Sequence, residues 1–243
     1  GILGTMIVER KMAFFSDALG HSALTGIALG VVFGVSDTDR SMLLFAVAFA
    51  LLLNMLSGRG MAANDTVISV FSSFSIAAGL VILSKGGNFS QYSSLLVGDI
   101  LSITRTEIFY LAAILFVTLV FWAFCFNSLH AVSIHRTLAK SRRIPVRLME
   151  NLFAVLTALI VTVSIKWVGM LIINALLILP AAASRNLSQN LREYHFFSIL
   201  FSMFSGVVGL LVSYFINAAT GPVIVIFAAV IYFITYGYGS KMQ

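Results

Sequence analysis

Apolar residues along this chain come in long unbroken runs rather than in alternation, and that pattern dictates the elements. The stretch SMLLFAVAFALLLNML (41 to 56) holds no charged residue. It shows neither the period-two alternation of a barrel strand nor the broad polar face of a surface helix. Runs of about 17 to 23 residues match helices that cross roughly 30 Å of hydrocarbon. They recur at 13–35, 41–57, 64–84, 106–126, 149–165, 168–184, 196–217 and 222–238, eight complete spans in all. The run from Leu148 to Ala183 is interrupted by Lys166, and its length demands two passes or one pass plus a re-entrant piece. Ahead of the first span, GILGTMIVERK reads as the tail of a helix whose beginning is absent, its apolar part being too short for a complete signal peptide. The expected fold is an all-α integral membrane protein, a polytopic bundle forming one transmembrane domain over residues 1–243.

Composition excludes the soluble alternatives. With 60% hydrophobic residues, 10% charged ones and 21 phenylalanines among 243 residues, the chain lies far from a soluble domain, whose charged fraction is nearer a quarter; its mean hydropathy is +1.02. A net charge of +6 raises the question of nucleic acid, but the cations are scattered between spans and densest at 136–147. Retention of Lys and Arg on the cytoplasmic side accounts for that distribution, so the surroundings are lipid and no nucleic-acid partner is expected. With HRTLAKSRRIPVR (135–147) placed inside, alternation leaves Arg40, Lys85, Arg105 and Lys166 outside and the other eleven of the 15 cations inside. Residues from about Asn127 to Arg147 form the sizeable soluble connection, and LHAVSIHRTLAK (129–140) has the composition of a helix lying on the cytoplasmic face. That segment is either a solvated loop or a docking helix for a partner. Residues 86–104, external in this arrangement, suit a short re-entrant or surface helix. Cys125 has no second cysteine in the chain to pair with.

The chemistry concentrates in the first span, AFFSDALGHSALTGIALGVVFGV (13–35). Asp17 and His21, four residues apart, share one helix face with Cβ atoms about 5 to 6 Å apart. An ionised aspartate at the centre of a spanning helix costs about 2.5 to 3.5 kcal/mol on insertion scales, so such residues are functional unless a structural partner explains them. Carboxylate oxygen and imidazole nitrogen together suit zinc, manganese or iron(II). The bland alternative is that Asp17 bonds a neighbouring helix and His21 is a neutral core histidine. Asp65, at the start of a span, reads as an N-cap. Asp99, beside Gly98, either attracts cations at an outer mouth or caps a short helix. His130, His135 and His195 lie near cationic stretches and read as solvated. Small residues in GHSALTGIALG (20–30) and SGVVGLLVS (205–213) allow close helix approach. Pro180 and Pro222 sit at the end and beginning of spans, where they disturb little backbone bonding.

Four segments in order, RKMAFFSDALGHSALTGIALG (10–30), LLVGDILSIT (95–104), VGMLIINALLILPAAASRNLS (168–188) and SYFINAATGPVIVI (213–226), resemble the membrane subunit of the ABC transporters that import zinc, manganese or iron(II). The likeness covers nearly the whole chain. It implies that Asp17 and His21 match the family's metal-binding aspartate and histidine. It further implies a homodimer in which each copy contributes the pair, two cytoplasmic ATPase subunits and an extracytoplasmic metal-binding protein. ATP would be hydrolysed on the partner, since this chain has no G-x-x-x-x-G-K-[ST] phosphate loop, leaving it a permease rather than an enzyme in a bacterial plasma (inner) membrane. Two departures stand out. Where the family carries an acidic Phe-Asp-Glu-Glu type segment before its cytoplasmic helix, this chain reads FNSLHAVSIHRTLA (126–139), and Asn217 replaces an aspartate of the last loop. Asn217 and Asp99 are therefore candidates for the ion pathway, and His135, Arg136, Lys140, Arg142 and Arg143 for ATPase coupling.

Two other functions fit parts of the pattern. A proton-driven secondary metal transporter would use Asp17 without any ATPase, and the cytoplasmic helix would be expendable. An intramembrane zinc hydrolase would need three protein ligands and an open position, and the sequence lacks the H-E-x-x-H spacing.

Overall fold

The computed structural model describes residues 1–35, 37–57, 64–85, 92, 94–98 and 103–239. Every regular element among them is a helix: α1 (Ile2–Glu9), α2 (Ala13–Val32), α3 (Thr38–Ser57), α4 (Asn64–Lys85), α5 (Ser94–Val97), α6 (Arg105–Ile134), α7 (Arg136–Ser141), α8 (Val146–Val168), α9 (Met170–Leu187), α10 (Leu191–Ile216) and α11 (Thr220–Gly239). Seven of the described helices are long and apolar enough to cross a membrane. The remaining expected span, 168–184, corresponds to α9, whose apolar part, Ile172–Leu187, is shorter. The protein is thus a multi-pass helical membrane protein, and residues Ile2–Glu9 of the N-terminal stub are helical.

Local chemistry sets the helix ends. Thr104 and Glu107 form a capping box at the start of α6, with the Glu107 carboxylate accepting from the Thr104 backbone N–H at 2.8 Å. Expected to end near residue 126, α6 instead continues to Ile134, because residues 127–134 lose hydropathy without containing a glycine or proline that would stop the backbone ladder. His135 turns extended at φ −155 and ends it. The long run from Leu148 to Ala183 is divided by Gly169, whose φ of +91 is open to glycine. Pro180 lies inside α9 rather than at its end; the helix carries on for a further two turns despite the amide hydrogen bond that proline removes.

The chain divides into two compact units, each drawn from separate stretches of sequence. One comprises Gly1–Ala13, Ser93–Leu101 and Ile165–Gln243. Here α1 packs on α9 and α10, and α11 packs on both of the latter. Gly4 sits so close to the Leu177 carbonyl, and Gly209 to the Ile224 backbone, that neither has space for a Cβ. Tyr194 donates its hydroxyl to the Thr5 carbonyl at 3.3 Å. Gly98, at φ +74, lies against the backbone of Trp167 to Gly169.

The other unit comprises Phe14–Tyr92 and Ser102–Ser164. Its α2 touches both α3 and α4. A Cβ at Gly26 would stand 2.9 Å from Met42 Cα, and one at Gly30 would stand 2.7 Å from Ser41 Oγ. On the α4 side, Gly79 abuts Thr25, whose hydroxyl bonds the Ser75 carbonyl and lies 2.9 Å from Ser75 Oγ. The glycine-rich segment read as a close-packing surface therefore serves as one.

Candidate metal site

Residues of α2 are mostly covered by protein. Within its first turns Phe15, Ser16, Ala18, Leu19 and Gly20 are buried, and a single stripe, Phe14, Asp17 and His21, stays open. The spacing of three and four residues that aligns this stripe is the helical repeat itself. Asp17 Oδ2 and His21 Nε2 stand 3.4 Å apart, with the two side chains 39% and 21% exposed. That separation is long for a hydrogen bond. It is the spacing of two ligands of one tetrahedral ion, since donors each about 2.1 Å from the metal lie about 3.4 Å from one another. His21 Nδ1 is buried without a hydrogen-bond partner among the described residues. A satisfied core histidine would have one, because an unmade bond of this kind costs about 1 to 3 kcal/mol.

Two donors are what this chain brings together at the pair: among the described residues no group of three or more His, Cys, Asp or Glu side chains converges to hold an ion. Asp99 lies outside the described residues, and so does the side chain of Asp65 at the second position of α4. Asn217 caps the end of α10 at φ 50, ψ 41, with its backbone N–H bonded to Ser213, and is exposed. Asparagine is among the few residues that enter this left-handed region readily, so the backbone gives Asn217 a structural reason.

The cationic segment forms the short helix α7. Ala139 is buried beside Val132 and Val146, which holds the turn against the ends of α6 and α8. Arg136 bonds Glu150 at 2.6 Å, while His135, Lys140, Arg142 and Arg143 are exposed. Ile134 and Leu138 add apolar area to that surface, 69% and 54% exposed. Arg143, at φ 59, closes the helix by donating to the Lys140 carbonyl at 2.9 Å. His130 is not solvated: it is 5% exposed and its ring meets that of Phe126 at 4.4 Å between centroids, because α6 outruns its apolar segment and carries this histidine on a packed face. His195 is half-buried and only His135 of the three is open.

Sequence reasoning passed over Asn54, Glu150 and Asn151. The Asn54 amide donates to Asn151 Oδ1 at 2.6 Å, joining α3 to α8. The signal was present, since Asn54 interrupts an otherwise apolar run, but its partner 97 residues on cannot be read from periodicity.

Comparison with known proteins points one way. The family model described as "ABC 3 transport family" matches residues 1–238. The high-affinity zinc uptake system membrane protein ZnuB of Haemophilus influenzae is 32% identical over 231 residues, covering 95% of this chain and 88% of the relative. The manganese transport system membrane protein MntC of Listeria innocua is 26% identical, with 99% of this chain and 86% of the relative covered. Among solved structures, PsaBC from Streptococcus pneumoniae in complex with Fab superposes with a TM-score of 0.84 at 29% identity, covering 97% of this chain and 85% of that one.

Proposed function

The chain belongs to the ABC 3 transport family, and from that premise we propose that it is the membrane permease of an ATP-driven importer of divalent transition metals. Zinc and manganese are favoured by the names of its relatives, and iron(II) is compatible with the same donors. The observation that carries the reading is the Asp17–His21 pair, an oxygen and a nitrogen donor 3.4 Å apart on the open stripe of an otherwise covered helix.

Two donors make a weak site, so two copies of the chain meet and each contributes its pair to one transit site with two carboxylates and two imidazoles. A mixed oxygen and nitrogen set without thiolate also suits an ion that must be released. An extracytoplasmic binding protein delivers the metal, and two ATPase subunits drive the change of access from the cytoplasm of a bacterial cell. Positive-inside orientation puts α7 on their side. There the exposed Lys140, Arg142, Arg143 and Leu138 form the contact, while Arg136, held by Glu150, stiffens it. Asp99 and Asn217 are secondary candidates along the ion path.

Equilibrium binding of zinc and manganese to the purified permease tests the site directly. The expected result is one ion per two chains, lost in both Asp17→Ala and His21→Ala. Retained binding in both variants would remove the site from the pair.

A further inference from the structure

Two consecutive residues at the start of α8 hold different helices. Glu150 bonds Arg136 of α7 at 2.6 Å, and Asn151 bonds Asn54 of α3 at 2.6 Å. Successive positions on a helix point about 100° apart, so one turn of α8 grips α7 on one side and α3 on another. The next link is tight as well. Ser41 of α3 donates to the Gly26 carbonyl of α2 at 2.6 Å. Gly26 lets the α3 backbone at Met42, and Gly30 the Ser41 side chain, come closer than a Cβ would permit. Between these ends, Met42, Ala46, Phe49, Ala50 and Leu53 form one buried stripe along α3. Helix α2 carries Asp17 and His21. All of these contacts lie within one compact unit.

We infer that the Asn54–Asn151 hydrogen bond is a positioning contact that couples the cytoplasmic α7 segment to the metal-binding pair on α2. The inference rests on α7 being the ATPase contact. A push on α7 moves Glu150 and with it the second turn of α8; Asn151 passes that displacement to α3, and the glycine contacts pass it to α2. Neither asparagine touches the metal, so its loss leaves binding intact and impairs the use of ATP. Within the run from Met42 to Leu56, Asn54 is the polar residue; it is half-buried, and its partner Asn151 is exposed.

The test uses the complete complex of this chain, its ATPase and its binding protein in proteoliposomes, and reads metal delivered per ATP hydrolysed. In Asn54→Ala and Asn151→Ala the ratio is expected to fall about threefold or more, a change of the size that residues of a coupling network produce. The double variant should be no worse than either single one, because both remove the same bond. Asn54→Asp, whose carboxylate can accept from the Asn151 amide, should restore the ratio, and equilibrium metal binding should be unchanged throughout. A wild-type ratio in both alanine variants would overturn the inference. So would a loss that Asn54→Asp fails to rescue or that is matched by loss of metal binding, since either marks a merely structural bond. Wild-type complex without any ATP-dependent uptake would instead remove the premise about α7, and the inference with it.

Discussion

At the scale of single residues, Asp17 and His21 carry the proposed metal site. Their half-buried positions on α2 and the His21 Nδ1, without a partner among the described residues, predict that Asp17→Ala and His21→Ala each weaken zinc or manganese binding by at least about tenfold, since loss of a mere outer partner of a metal ligand already costs 10- to 100-fold. Asp17→Asn, which keeps shape and an oxygen while losing charge, should fall between wild type and alanine in the same titration. The sequence makes the pair a candidate because a carboxylate inside an apolar run has few innocent explanations, and the structure adds that the two side chains stand 3.4 Å apart. Asn217 was legible only as a candidate by resemblance; its φ of 50 supplies what the sequence could not. Asn217→Gly should preserve thermal stability in detergent, whereas Asn217→Ala should lower it by about 1 kcal/mol, because alanine keeps the Cβ in the left-handed region but lacks the short polar side chain whose local hydrogen bonding lets asparagine sit there. If Asn217 also serves the ion path, uptake falls in the glycine variant although stability does not.

At the scale of elements, apolar runs located the helices well and their ends poorly. Hydropathy reports where lipid is favoured, whereas a helix ends where its hydrogen-bond ladder ends. Residues 127–134 therefore continue α6 beyond the apolar segment, to about 45 Å at 1.5 Å per residue, and His130 is packed rather than solvated. Conversely, the break between α8 and α9 falls at Gly169 and not at Lys166, because backbone geometry and not charge divides the run. The same geometry yields a prediction. A Cβ at Gly98 would stand 2.3 Å from the Gly169 backbone nitrogen, so Gly98→Ala should destabilise the purified protein by about 1 to 3 kcal/mol or shift the backbone, seen as a lowered unfolding midpoint. Gly206, which has open space around it, serves as the control whose replacement by alanine changes little.

At the scale of the molecule, the class was plain from composition and the assembly was not. Nothing in the order of spans reveals that residues 93–101 join α9 to α11 in one unit while residues 102–164 join α2 to α4 in the other. Such pairings depend on contacts distant in sequence, like Asn54 with Asn151 or Tyr194 with Thr5. Orientation, in contrast, can be argued from charge alone. In a Cys125→Ser background, Lys140→Cys is expected to react with a membrane-impermeant thiol reagent only from the cytoplasmic side, and Arg40→Cys only from the opposite side. Labelling of both from one side would break the alternation on which the placement of α7 rests.

The most direct test of the whole account is metal uptake by sealed vesicles that contain the permease with its ATPase and binding protein. Accumulation of zinc or manganese is expected to be saturable and ATP-dependent, and to be abolished in Asp17→Ala and in His21→Ala while the complex still assembles. Accumulation unchanged in both variants, or driven by a proton gradient in the absence of ATP, would contradict it.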